Sequence, residues 1–111
     1  MPSLDYKLTT DANGDFTDKT LFDPLGWLQL DVTLTATLIP PEGASAKAFV
    51  DIESVAEGAD KVMKSFVIIS GETADLGDWQ VDSGEHVLIL RGRTEPPLAG
   101  TVLSIHAETR G

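Results

Sequence analysis

Oxygen-bearing side chains recur at every second position in the stretch DANGDFT, as Asp11, Asn13, Asp15 and Thr17. Calcium loops of the D-x-N-x-D type use that spacing because alternate side chains can wrap their oxygens around one hard cation. The pattern then departs from such a loop. Its sixth position is Phe16, where glycine would make the sharp turn, and its twelfth is Phe22, where glutamate would close the shell. Asp18 and Asp23 remain as further carboxylates for an irregular calcium site built on Asp11, Asn13 and Asp15. The same residues also spell a plain turn, because Asn13-Gly14 supports the positive φ angles of a tight reversal, and the turn is the stronger reading.

A second group of carboxylates is Glu72, Asp75 and Asp78, with Asp82 and Glu85 close behind. Glycoside hydrolysis needs two such groups, but spacing within one polar stretch does not make a cleft, and solvated carboxylates are the simpler expectation. The two histidines, His86 and His106, stand near Glu85 and Glu108. A two-histidine metal site or a Ser-His-Asp arrangement would need them to meet partners across strands. His106 sits between Ile105 and Ala107, whose face is expected to be inward, so it is expected to face solvent. Trp27 and Trp79 each follow a turn residue, Gly26 or Asp78, at the start of a strand. Such tryptophans stack on sugars or anchor interfaces, or they plug the end of a sandwich, which is the stronger reading. Arg91 and Arg93 share one strand face, where they either pair with acids across the sheet or meet an acidic partner. No catalytic constellation emerges, so a protein without enzymatic activity or cofactor is expected.

The elements that must position these groups are strands. In residues 27–39, WLQLDVTLTATLI, the even positions from Leu28 to Leu38 are all apolar and the odd ones are Gln29, Asp31, Thr33, Thr35 and Thr37. Period-two alternation marks a strand with one face in a core, and threonine opposes a helix. Residues 4–9 alternate likewise, as do 46–53, where Ala46, Ala48, Val50 and Ile52 share a side and Phe49 lies opposite. Residues 62–70, VMKSFVIIS, read as a strand buried on both faces toward its end. A strand over 86–94 and a closing one over 101–109, with Leu103, Ile105 and Ala107 inward, complete the series. Residues 16–26 and 54–60 read as irregular or loop, with room for a helical turn in 54–61, and 71–78, GETADLGD, reads as a polar loop. Asp82-Ser83-Gly84-Glu85 is a hairpin signal, and Pro40-Pro41 ends the long strand because proline cannot donate to a ladder. The expectation is an all-β antiparallel sandwich, jelly-roll-like, of about seven to eight strands. Residues 1–26 are set apart as an N-terminal strand and irregular arm, and 27–111 as the sandwich core of a single domain.

The chain has 111 residues, 41% of them apolar, enough to bury about two thirds of the unfolded surface in one domain. Eighteen acids against eight bases leave a net charge of −10, which repels phosphate backbones and anionic lipid, so neither nucleic acid nor a membrane is an expected partner. Acidity also keeps a small protein soluble, or it forms a patch that docks on a basic partner. Absence of cysteine removes disulfides, thiolate metal sites and a thiol nucleophile, and it fits a reducing compartment. The opening MPSLDYKL has no basic region followed by an apolar run, so a chain made and kept in a cytoplasm, without a signal peptide, is expected.

In the closing half, Gly84, His86, Leu88, Leu90 and Gly92 form a G-x-H-x-L-x-L-x-G pattern. It resembles the late strands of galactose-binding-like and carbohydrate-binding modules, and also those of small β-sandwich cement or decoration proteins on tailed-phage heads. The second resemblance implies a virion structural protein that binds the major capsid protein or another virion protein, often as a homo-oligomer, and stiffens the shell. The first implies a sugar-binding module using Trp79 or Trp27. Neither likeness carries a diagnostic motif that would transfer binding residues onto this chain.

Overall fold

The computed structural model describes residues 3–21, 30–56, 62–81 and 86–110. Eight strands run in chain order: β1 (Ser3–Thr9), β2 (Asp15–Leu21), β3 (Leu30–Ile39), β4 (Lys47–Ala56), β5 (Val62–Ile69), β6 (Thr73–Val81), β7 (His86–Glu95) and β8 (Val102–Arg110). They form two four-stranded sheets, sheet I in the order β1-β8-β3-β6 and sheet II in the order β2-β7-β4-β5, with every pairing antiparallel. The expected all-β sandwich is the fold.

Its connectivity follows from one ribbon. β1 pairs with β8, β2 with β7, β3 with β6 and β4 with β5, as in a long hairpin bent between β4 and β5. Wrapping that ribbon brings β8 against β3 and β7 against β4, which closes the two sheets. This is jelly-roll topology.

Alternation places the core where the even positions of β3 predict it. Val32, Leu34, Ala36 and Leu38 are buried, and Ala48, Val50 and Ile52 of β4 meet Leu88 and Leu90 of β7 beneath them. Leu103, Ile105 and Ala107 of β8 complete the floor as expected. Gly92 of β7 faces the same interior. A Cβ there would lie 2.8 Å from the Phe49 carbonyl oxygen and 3.1 Å from the Val50 side chain, so glycine lets the neighbouring side chains close over the strand.

Several expectations need correction. Residues 3–21 are no separate arm: β1 and β2 give one strand to each sheet, and Leu8, Phe16 and Leu21 are in the core. Residues 15–21 looked irregular because a register shift against β7 between Phe16 and Lys19 breaks the alternation. Residues 73–78 are strand rather than polar loop. A second shift, between Leu34 and Thr35 of β3, falls beside Gly77, whose φ is +88°, and it throws Leu76 and Trp79 out of period while both stay buried. β4 continues through Ala56, beyond the expected start of a loop at Ser54. The 82–85 segment lies outside the described residues, but β6 and β7 belong to different sheets, so it joins sheets rather than paired strands. β5 is an edge strand buried on one face only, with Ile68 inside and Val67 and Ile69 exposed.

A buried threonine junction ties the two strands of the ribbon together at its first bend, between the β1/β8 and β2/β7 pairs. The Thr10 hydroxyl donates to the Leu98 carbonyl oxygen and accepts from the Thr101 amide at 2.9 Å. Thr94 receives the Leu98 amide on its hydroxyl at 3.0 Å, while its own amide donates to the Gly14 carbonyl oxygen at 2.8 Å. Every polar side-chain atom buried among the described residues has a partner, as burial demands. Because residues 3–21 fill the core, Leu21→Ala is expected to cost about 2–5 kcal/mol in urea unfolding; a change near zero would restore the detachable arm.

Candidate functional site

The two outer faces of the sandwich differ in chemistry. Sheet I presents Thr33, Thr35 and Thr37 of β3 beside Ser104, His106 and Glu108 of β8. Its strands carry five acids (Asp5, Asp31, Asp75, Asp78, Glu108) against two bases (Lys7, Arg110). The strands of sheet II carry five acids (Asp15, Asp18, Asp51, Glu53, Glu95) and five bases (Lys19, Lys47, Lys64, Arg91, Arg93). In a chain of net charge −10, sheet II is therefore the charge-balanced sheet.

Sheet II is also the apolar one outside. The strand period turns Phe49 of β4 and Met63, Val67 and Ile69 of β5 away from the core. Met63 is 61% exposed, Val67 53% and Ile69 45%. Arg93, opposite Phe49 in the register, lays its guanidinium over that ring at 5.1 Å and reaches Glu95 at 3.6 Å. Beside them is a shallow depression of about 420 Å³ lined by Phe49, Asp51, Ser65, Phe66, Val67, Gly92 and Arg93. The Ser65 hydroxyl donates to Asp51 at 2.6 Å on its floor. An aromatic ring, a stacked arginine and exposed aliphatics are the side chains that dominate protein interfaces once water is excluded.

Arg91 shares this face, as its spacing from Arg93 predicts, and it pairs across the sheet. Its Nε donates to Asp18 of β2 at 3.0 Å and its Nη1 to Glu53 of β4 at 3.2 Å, so one guanidinium joins three strands. The hydrogen bond and charge of Asp18, followed by those of Glu53, raise its pKa above the ordinary arginine value. It is held charged and in place.

The remaining sequence candidates have structural neighbours of their own. Asp11 Oδ1 accepts the Asn13 and Asp15 amides at 2.9 and 3.1 Å, so this carboxylate closes the turn. Gly14 takes φ +79° there, and a Cβ would meet Pro97 at 2.7 Å. Among the described residues no group of three His, Asp or Glu side chains is placed to hold a metal ion. Trp79 is a core plug: it is 6% exposed, donates Nε1 to the Leu76 carbonyl oxygen at 2.9 Å and lies under the Lys64 ammonium at 4.9 Å. Trp27, Asp23, Asp82 and Glu85 lie outside the described residues. Glu72 is exposed in the turn before β6, Asp75 accepts the Gly77 amide at 2.9 Å, and Asp78 accepts the Thr33 hydroxyl at 2.8 Å.

His106 lies on the outer face of sheet I, between Asp5 of β1 and Glu108. Its Nδ1 is 2.7 Å from Asp5 and its Nε2 3.3 Å from Glu108. Both ring nitrogens face carboxylates, which leaves none to take a proton from a hydroxyl nucleophile. The hydrogen bond to Asp5, then that to Glu108, raises its pKa above the ordinary 6.5.

Sequence reasoning missed Met63, Val67 and Ile69, because an apolar run of both parities reads as a doubly buried strand. The absence of acid from residues 61–71, in a chain that has eighteen, fits a doubly buried strand as well as an exposed edge. No protein-family model matches this chain, and no curated protein matches it in sequence.

Two measurements test these assignments. Asp11→Ala is expected to cost about 1 kcal/mol of stability through the lost turn bonds, equally in calcium and in chelator; a larger loss in calcium would bring the metal reading back. For His106, NMR titration is expected to give a pKa above 6.5 that falls toward it in Asp5→Asn. Because the folded-state value is the raised one, the stability this imidazolium contributes is complete below 6.5 and is lost as pH rises through the folded-state pKa. A titration at or below 6.5 would contradict the Asp5 contact.

Proposed function

We propose that this protein is a non-enzymatic structural accessory that works by docking through the outer face of sheet II. The observation that carries the reading is the outer surface of the charge-balanced sheet, on which Arg93 stacks over Phe49 beside exposed Val67 and Ile69. Such a face meets little net-charge repulsion and gains from covering apolar area. Sheet I and the connecting segments hold the excess acid and keep the free protein soluble.

The partner follows from the resemblance of the Gly84–Gly92 pattern to phage cement and decoration proteins. On that basis the docking surface is a phage head, and the contact is to the major capsid protein or another virion protein. A cement protein binds across neighbouring shell subunits, and a rigid sandwich with one apolar face suits that role. It would act in the virion, after synthesis in the host cytoplasm.

The test is co-sedimentation with phage heads stripped of accessory proteins. The wild-type protein is expected to pellet with the heads, and Phe49→Ala or Arg93→Glu to bind about tenfold more weakly. Failure of the wild-type protein to bind, together with retention on a glycan array, would move the function to the sugar-binding reading.

A further inference from the structure

Among the described residues, a wrapped ribbon leaves four strands with one unpaired edge: β1 and β6 in sheet I, β2 and β5 in sheet II. Each such edge presents free N–H and C=O groups to any other strand, and proteins blunt them with bulges, charge or short length. Three of the four edges here carry such devices. β2 has its register shift between Phe16 and Lys19, with Asp18 and Lys19 exposed at it. β6 has its irregularity at Gly77, flanked by exposed Asp75 and Asp78. β1 is seven residues long and turns Asp5 and Lys7 outward.

β5 carries only a single inward-pointing lysine. It holds an unbroken register with β4 from Val62 to Ile69, contains no carboxylate and exposes Met63, Val67 and Ile69. Its one charge, Lys64, reaches over Trp79 between the sheets and leaves the outer row apolar. We propose that β5 is the seam of a two-fold dimer, pairing antiparallel with β5 of a second copy so that two copies of sheet II become one continuous eight-stranded sheet.

The strand is suited to itself. An antiparallel pair about a two-fold axis is isologous, so a single edge supplies both halves of the ladder. An axis through Phe66 sets Met63 opposite Ile69 of the second copy and Ser65 opposite its Val67, all on the outer face. Met63, Val67 and Ile69 of both copies then form one apolar row across the join. Two chains of charge −10 can meet there because no acid lies in residues 61–71, whereas on β6, which carries no base, the exposed Asp75 and Asp78 would meet the same acids of the second copy. The pairing doubles the Phe49–Arg93 surface and does not depend on what that surface docks on.

The experiment uses the full chain alone, without phage heads, so its result is independent of the docking test. Sedimentation equilibrium over a wide concentration range is expected to show a dimer. Hydrogen exchange is expected to show β5 amides that lose protection on dilution while those of β1, β2 and β6 do not change. Val67→Lys and Met63→Lys, both at exposed positions, are expected to be monomeric with an unchanged circular dichroism spectrum, and Thr35→Lys on sheet I to remain dimeric. A monomer at every concentration overturns the proposal. So does a dimer that survives both lysine variants, or one whose dilution leaves β5 protection unchanged.

Discussion

Backbone pairing along a single wrapped ribbon is the constraint on which the other features rest. With β1 to β4 antiparallel to β8 to β5, closure brings β8 to β3 and β7 to β4. That closure makes β3, β4, β7 and β8 interior and leaves the other four strands at edges. Interior strands must alternate cleanly, since both neighbours fix their register and a one-residue slip would turn the core outward. Edge strands are free to bulge, and β2 and β6 do.

The ribbon's first bend needs a different kind of bond. Where β1 leads into β2 and β7 into β8, both connections leave backbone groups buried without a ladder. Thr10, Thr94 and Thr101 supply the hydroxyls that satisfy them, and Gly14 allows the turn to lie against Pro97. Threonine suits this place because its hydroxyl both donates and accepts. Asp11 and the two arginines act one level further out, closing a turn and tying strands at the surface. Chemistry-bearing residues that stand out by type and spacing are thus largely engaged in holding the ribbon closed.

The division of charge between the sheets turns this frame into a directional object. Net negative charge lies on sheet I and in the connections, while sheet II balances its charges and carries the exposed Met63, Val67 and Ile69 beside half-buried Phe49. Association through sheet II therefore avoids the repulsion that net charge would otherwise impose. The docking proposed for sheet II would need neither a deep pocket nor a reactive group.

The alternation of β3, β4 and β8 is local, so the sandwich and the inward positions of Val32, Leu34, Val50, Ile52, Leu103 and Ile105 were legible from residue order. So was the shared face of Arg91 and Arg93. What order alone could not convey is which neighbour each strand acquires. β2 and β6 were hidden because bulges opposite β7 and β3 break the period of two. Trp79 proved to be a core plug because that bulge turns it inward under Lys64. The sequence by itself determined the fold class, the core stripe and the carboxylate-free run at 61–71. Only the tertiary structure decided that this run is an edge, because edge status depends on the wrapping of a ribbon whose paired strands lie far apart in the chain.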